Sequence, residues 1–535
     1  MNVRAGSFLQ ALLPVAVLAT TLAAPAAQAL VFGDRERTCA NGETYTDYYG
    51  GTYTGDSSNP LAPFRIVIPR QGWNGKLLAY ARGTGSTIKI VNGVPVDVDG
   101  QPLTDPTTQW PLLGFTPLTN SLPEITAGGL VLPANPDAFE EELVCNRKYA
   151  AVASDYKPDF DFIENGKLGW VVEDGVRDIG LAVAQARRLL RLTQGSPPSR
   201  TILMGRSQGS IIALRYAEER SLLVDGVIAI CTVGAGASRS WDTAVDVALA
   251  IDVAFANEER GGWPWGTAPG EVGEVQSDVV FATQVAPWLG GLFQDPTAFA
   301  RFEFVRLVTG LPREGFYPFP APAIPPFHGP SVGNPGFNWL GAILLFATEV
   351  KADLEVKAGG AAGQNLDHVY SLSPSDQAYL QALGAPVDAW LAAMNARTIY
   401  QGSPQGAAYT AAYRDFTFDT RLPPRPMLSV HTTTDGLVLP SQETVLRQTL
   451  DATGQLLKRR QLRQVYVEAN GHCTLTQAEL TVALRAMELR LNRGSWPGDT
   501  FFPNNTKGAG KPPYDLRLRF VKGFDPGPFP QPPSP

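Results

Sequence analysis

A serine stands between two glycines in Gly205-Arg206-Ser207-Gln208-Gly209, after the apolar run Ile202-Leu203-Met204 and before the helix-forming Ser210-Ile211-Ile212-Ala213-Leu214. A serine hydroxyl attacks a carbonyl only when it is exposed, oriented and next to a base. A strand that turns into a helix around one residue strains that residue. It also leaves no room for side chains two positions before and two after. Glycines at 205 and 209 meet that demand, so Ser207 is the candidate nucleophile. A base and an acid that orients the base must then come from elsewhere. His472, in Glu468-Ala469-Asn470-Gly471-His472-Cys473, follows an apolar run and precedes a helical pattern. Asp435, in Thr432-Thr433-Thr434-Asp435-Gly436, follows the run before that one. A carboxylate there can accept the imidazole Nδ1–H, fix its tautomer and stabilise the imidazolium. The plain alternatives are a glycine-rich turn, a surface-loop histidine and an Asp-Gly turn. The order Ser, Asp, His, each after a strand-like run, favours chemistry over coincidence.

The remaining candidates are weaker. Asp155 suits a turn cap, His328 and His368 read as loop histidines without a role, and His431 as a packed support at a strand end. No Cys-x-x-Cys or His-x-x-x-His spacing occurs among the four cysteines and four histidines, so a metal is not expected. From residues alone, three disulfide pairings of Cys39, Cys145, Cys231 and Cys473 are open.

Several elements must position these groups. Short β-branched apolar runs at 64–69, 77–81, 150–154, 201–204, 227–231, 427–431 and 464–468 alternate with helical patterns, the signature of a parallel sheet covered by helices. One helix is expected over 173–192, with Val176, Ile179, Val183 and Leu190 on one face. A last one starts at the capping box Thr476 to Glu479 and buries Leu480, Leu484, Met487 and Leu491. Two stretches break the alternation. Residues 82–145 contain a turn at Asn92-Gly93. The second stretch, 238–426, is large enough to be a domain, with helical patterns over 338–356 and 374–397. Its aromatics (Trp263, Trp265, Trp288, Phe293, Phe299, Phe302, Phe316, Tyr317, Phe319, Phe327, Phe337 and Trp339) suit either a substrate pocket or that unit's own core.

The 535-residue chain exceeds what one hydrophobic core serves. Its start reads as a leader, 1–29: Arg4 is basic, Phe8 to Leu22 is apolar but too short to span a bilayer, and Ala27-Gln28-Ala29 is a small-residue cleavage site. An exported chain beginning at Leu30, periplasmic or extracellular, is expected. The divisions that follow are a core over 30–237, an insertion over 238–426, the rest of the core over 427–493 and an extended Pro-rich tail over 494–535. A net charge of −7 without a basic, aromatic-interleaved cluster argues against nucleic acid and anionic membranes as partners.

With Ser207, Asp435 and His472 in that order, each after a strand, the chain resembles the α/β-hydrolase superfamily, as islands between residues 64 and 492 that leave out the insertion. Within it the chain is similar to exported bacterial serine esterases and lipases with a large cap. The resemblance implies a mostly parallel sheet flanked by helices, with a mainly helical cap inserted after the strand ending at Cys231. It implies an oxyanion hole from the backbone N–H of Gln208 and of Thr84, the latter in Tyr80-Ala81-Arg82-Gly83-Thr84-Gly85, with Arg82 where histidine is common. It also sets the strand ends at Cys231 and Cys473 on the active-site edge, which favours Cys231–Cys473 and hence Cys39–Cys145. The His472-Cys473 pair is similar to that of tannases and feruloyl esterases, but those enzymes bridge it to a cysteine beside the nucleophile, where Arg206 stands here. The implied activity is cofactor-free hydrolysis of a small hydrophobic or aromatic ester through an acyl-enzyme. A peptidase or amidase would use the same triad. A non-catalytic binding protein would normally lack a triad member.

Overall fold

The computed structural model describes residues 28–53, 62–83, 138–154, 172–255, 295–313, 350–504 and 518–530, with short stretches at 89–91, 94–96, 124–126, 129–131 and 291–292 and single residues at 156, 170, 288, 344 and 347. Ten strands form its main sheet: β1 (Gln28–Thr38), β2 (Thr44–Tyr53), β3 (Ala62–Pro69), β4 (Lys76–Ala81), β5 (Ala150–Ser154), β6 (Arg200–Arg206), β7 (Gly226–Ile230), β8 (Met427–Thr434), β9 (Leu462–Asn470) and β10 (Phe520–Val521). Their order is β1-β2-β3-β5-β4-β6-β7-β8-β9-β10. Every pair from β5 across to β9 is parallel. β1, β2 and β3 run antiparallel on one flank and β10 on the other. A parallel block with this crossover order and an antiparallel flank is the α/β-hydrolase fold. The carboxyl ends of β4, β6, β7, β8 and β9 therefore share one edge, where such sheets bind ligands.

The middles of β4, β5, β6 and β7 are apolar because both faces are covered. On β6, Leu203 packs into the cluster under α1 (Val172–Gln194) and α2 (Gln208–Glu218). Its neighbours Ile202 and Met204 face the opposite cluster. A strand's two-residue period allows nothing else. Ile179, Val183 and Leu190 of α1 are buried as their spacing predicts, while Val176 is only partly so.

Between β7 and β8 lie α3 (Gly236–Phe255), α4 (Phe299–Thr309), α5 (Pro374–Ala382) and α6 (Val387–Asn395). They build a hydrophobic cluster of their own around Phe255, Phe302, Phe304, Leu380 and Met394. The Phe255 and Phe302 ring centroids are 5.1 Å apart. Of the aromatics noted for this stretch, Trp288, Phe299 and Phe302 belong to that core; the other nine lie outside the described residues, as do Asn92-Gly93, Asp155, His328 and residues 1–27.

Three elements differ from expectation. The single helix expected over 374–397 is two, because Gly384 takes φ +81° and closes α5 with Ala385 N–H donating to Leu380 O at 3.0 Å and Gly384 N–H to Gln381 O at 2.9 Å. Pro386, with no N–H to donate, then starts α6 afresh. β1 and β2 were not foreseen: β1 carries the charged run Asp34-Arg35-Glu36-Arg37, which suits an edge strand and hides its period. The tail is also not merely extended, since Phe520–Val521 adds β10 to β9.

The flank carries a buried ionic knot. Arg65 on β3 donates through Nε to Asp47 at 2.6 Å and through Nη1 and Nη2 to Glu140 at 2.8 and 2.6 Å. All three side chains are buried. The Cys39–Cys145 bridge, with α-carbons 6.0 Å apart, ties the same region. Removing Arg65 takes the main cation from two buried carboxylates and leaves Asp47 with the longer contact to Arg37 at 3.3 Å, so Arg65→Met is expected to lower stability by about 3–5 kcal/mol. Denaturant unfolding measures this, and a loss under about 1 kcal/mol would show that the carboxylates are compensated without it.

Candidate active site

The glycines around Ser207 have a steric cause. A Cβ on Gly205 would lie 2.0 Å from the Gly209 carbonyl oxygen, and one on Gly209 would lie 2.1 Å from Ala81 O and 2.4 Å from Arg82 O. Helix α2 is thus pressed backbone to backbone onto the end of β4. Ser207, between β6 and α2, takes φ 52°, ψ −124°, a conformation L residues seldom adopt and one that marks a strained turn. Its amide donates to Ile230 O at 2.9 Å, which pins the turn to β7.

Asp435 and His472 come to the same edge from β8 and β9. Gly471 N–H donates to Thr434 O at 2.9 Å and Thr432 Oγ1 to Gly471 O at 3.0 Å, locking the two loops side by side. His472 Nε2 is 2.9 Å from Ser207 Oγ, and His472 Nδ1 is 2.8 Å from Asp435 Oδ2. The other carboxylate oxygen, Oδ1, accepts the amides of Leu437 at 2.9 Å and Val438 at 3.0 Å. Burial pushes the Asp435 carboxyl up. The charge and hydrogen bond of His472, the nearby His431 and the Val438 amide together outweigh it and hold the group below its ordinary value. Asp435 is fully buried, while Ser207 and His472 keep 5% and 6% of their surface, so Ser207 and His472 touch the outside and Asp435 does not.

Gln208 is the first residue of α2 and contributes one of the amides at that helix N-terminus, whose partial positive charge favours an oxyanion. Thr84 lies outside the described residues. The loop before it is held by Tyr156, whose hydroxyl donates to Arg82 O at 3.3 Å while the Arg82 guanidinium sits 4.7 Å from its ring centroid. Arg206 is buried beneath the turn, and burial pushes its guanidinium down against the opposing pull of Tyr80 and Asp435.

A bridge joins Cys231 and Cys473, with α-carbons 5.4 Å apart. It brings Cys473 Sγ to 3.6 Å from His472 Nε2. His431 is buried, its Nδ1 2.9 Å from Thr432 O. His368 is no bare loop residue: it is buried in the insertion with Nδ1 2.9 Å from Asp246 Oδ1. Sequence reasoning missed Arg519. Its Nη2 donates to Thr474 O at 2.7 Å and to Glu479 Oε2 at 2.9 Å, clamping the turn after His472. That Glu479 oxygen also accepts Thr476 N–H at 2.8 Å in the capping box. An arginine in a proline-rich tail offers no local signal for such a role.

No family model matches the chain, and no curated protein matches it in sequence. Among solved structures it is similar to feruloyl esterase B from Aspergillus oryzae, with a TM-score of 0.40 and 12% identity over 88% of either chain. Candida antarctica lipase A in its closed state gives 0.36 and 13%, covering 88% of this chain and 83% of that one. Tannin acyl hydrolase from Aspergillus niger gives 0.37 and 11%, with 88% and 83% covered. It is the chain's own strand order that carries the fold.

Because the folded pKa of Asp435 lies below the unfolded one, the unfolded chain takes up this proton more readily. The stability it contributes is complete above the unfolded value, about 3.9, and is lost as pH falls toward the folded one. The expected outcome is a shallower acid-side loss of stability in Asp435→Asn than in the parent chain. Urea midpoints collected from about pH 6 down to pH 3 would test it, and parallel curves would contradict the assigned direction.

Proposed function

We propose that this chain is a serine hydrolase that cleaves carboxylic esters of small hydrophobic or aromatic molecules, with Ser207 as nucleophile, His472 as general base and acid, and Asp435 as the group that orients it. The observation that carries this reading is the unbroken hydrogen-bonded line from Ser207 Oγ through both imidazole nitrogens to Asp435. A nucleophile–base and a base–orienter hydrogen bond are the geometry this chemistry requires, and Ser207 sits at a positive φ, the kind of strained backbone that clusters at active sites.

The steps follow from these contacts. Ser207 Oγ attacks the ester carbonyl carbon while His472 Nε2 takes its proton. Negative charge moves to the carbonyl oxygen, where the Gln208 amide, with Thr84 as second donor, stabilises it; each such donor is worth about 10²–10³ in rate. His472 then hands the proton to the departing alcohol, leaving an acyl-serine. Water, deprotonated by the same nitrogen, attacks that acyl group and releases the acid. Throughout, the buried Asp435 holds Nδ1–H and offsets the positive charge on the ring. No metal or organic cofactor enters this sequence of steps.

The same proposal makes residues 238–426 a cap over the substrate edge and the protein an exported one. Two disulfides suit an oxidising compartment. Among the described residues no helix is long and apolar enough to cross a membrane. The partner is a small ester rather than nucleic acid.

A fluorophosphonate probe is expected to label Ser207, and p-nitrophenyl esters to turn over faster than aminoacyl anilides; turnover of anilides alone would make the chain an amidase instead. Ser207→Ala and His472→Ala are each expected to cost about six orders of magnitude in kcat, as members of a unit do. Asp435→Asn should cost about 10⁴, since an amide favours the wrong imidazole tautomer. Parent-like turnover in the serine or histidine variant would remove the assignment.

A further inference from the structure

The Cys231–Cys473 bridge does more than tie two strand ends. Its two sulfurs and a His472 ring nitrogen all lie within 4.8 Å of one another, and all three residues are buried. A tetrahedral zinc bound by cysteine at about 2.3 Å and histidine at about 2.0–2.1 Å separates sulfur from nitrogen by roughly 3.6 Å. Cys473 Sγ already stands 3.6 Å from His472 Nε2. The outer partner is present too. Asp435 Oδ2, 2.8 Å from Nδ1, holds the proton on that nitrogen and leaves the Nε2 lone pair directed away from it, the carboxylate–histidine arrangement that orients imidazole toward zinc.

We propose that reduction of the Cys231–Cys473 bridge converts the candidate active site into a binding site for one thiophilic divalent cation, with Cys231, Cys473 and His472 as ligands. A dithiol gives two electrons and two protons to the bridge and itself becomes a disulfide, leaving two cysteine thiols. The cation displaces both thiol protons, forms two metal–sulfur bonds and accepts the Nε2 lone pair; the fourth position is left to water or Ser207 Oγ, 2.9 Å from that nitrogen. Two sulfurs and an imidazole select zinc, cadmium or cobalt over magnesium and calcium. While the bridge is intact neither sulfur can be a thiolate, so the oxidised protein has no such site. With Nε2 occupied, the base is lost. That inhibition rests on the catalytic role given to His472 above; the binding does not.

The test reads the cation directly. Full-length protein is reduced under native conditions, freed of reductant without air, and titrated with Co²⁺ alone while visible absorbance and far-ultraviolet circular dichroism are followed. One Co²⁺ per chain is expected, with sulfur-to-cobalt charge transfer and the intense visible bands of tetrahedral cobalt. Oxidised protein and Cys473→Ser should lack these, Mg²⁺ should not compete, and Zn²⁺ should displace the cobalt. Equal signal in Cys473→Ser would assign the binding to Cys39 and Cys145 and overturn the proposal. So would absence of signal in the reduced parent, including by loss of its fold, because the site requires the folded reduced chain. In a second arm, whatever ester hydrolysis the reduced protein retains should be lost on adding Zn²⁺ and return with EDTA. Cobalt binding without that loss would leave the cation site standing and count against His472 as the base.

Discussion

The carbonyls of Ala81 and Arg82 approach the α-carbon of Gly209 so closely that a methyl group there would lie 2.1 Å from the first and 2.4 Å from the second. This backbone contact holds α2 against the end of β4, and Gly205 permits the matching approach from below. With both sides fixed, the residue between strand and helix has few conformations left, and Ser207 takes a positive φ. The strain, on the order of 1–3 kcal/mol, persists because the surrounding sheet over-determines it. Its consequence is a hydroxyl thrown forward at the sheet edge with the helix N-terminus beside it.

The partner side of the site is built differently, from loops that would be mobile without restraint. Ordering a residue costs about 1–2 kcal/mol in backbone entropy, so a histidine loop needs ties. His472 has three sets. Gly471 is bonded to Thr434 and Thr432 of the neighbouring strand, Cys473 is bridged to the end of β7, and Arg519 returns from the tail to hold Thr474 and Glu479. Cys231 and Cys473 both have positive φ, at 48° and 59°, so the bridge sits on backbone that has given up its ordinary conformation to reach across. Rigidity of this kind is what the proposed base needs to stay within hydrogen-bonding distance of the proposed nucleophile.

The insertion between β7 and β8 has a hydrophobic cluster around Phe255 and Phe302, and it also lends Trp241, Val350, Leu354 and Phe418 to the cluster on one face of the sheet. Its aromatic content is thereby partly explained: Trp288, Phe299 and Phe302 serve internal packing, and Phe255 meets Trp288 edge-on and Phe302 at a tilt. The buried Asp246–His368 pair lies within the insertion, joining α3 to the loop before α5.

Much of this was legible in the chain itself. The seven apolar runs, the glycines flanking Ser207, the capping box before the last helix and the order Ser207, Asp435, His472 are local or sequential properties, and one-dimensional pattern expresses them fully. Edge strands such as β1 were not legible, because charge on an exposed edge erases the two-residue period. The break between α5 and α6 does have a local signal, Gly384 followed by Pro386. What only the tertiary structure decided were relations with no local code: which cysteines meet, that His368 finds Asp246, that Arg519 returns from the tail to clamp the turn after His472, and that His472 comes to 2.9 Å from Ser207, 265 residues earlier, and to 2.8 Å from Asp435, 37 residues earlier. Parallel strand register sets those distances, and register is a property of the whole sheet that no single segment contains.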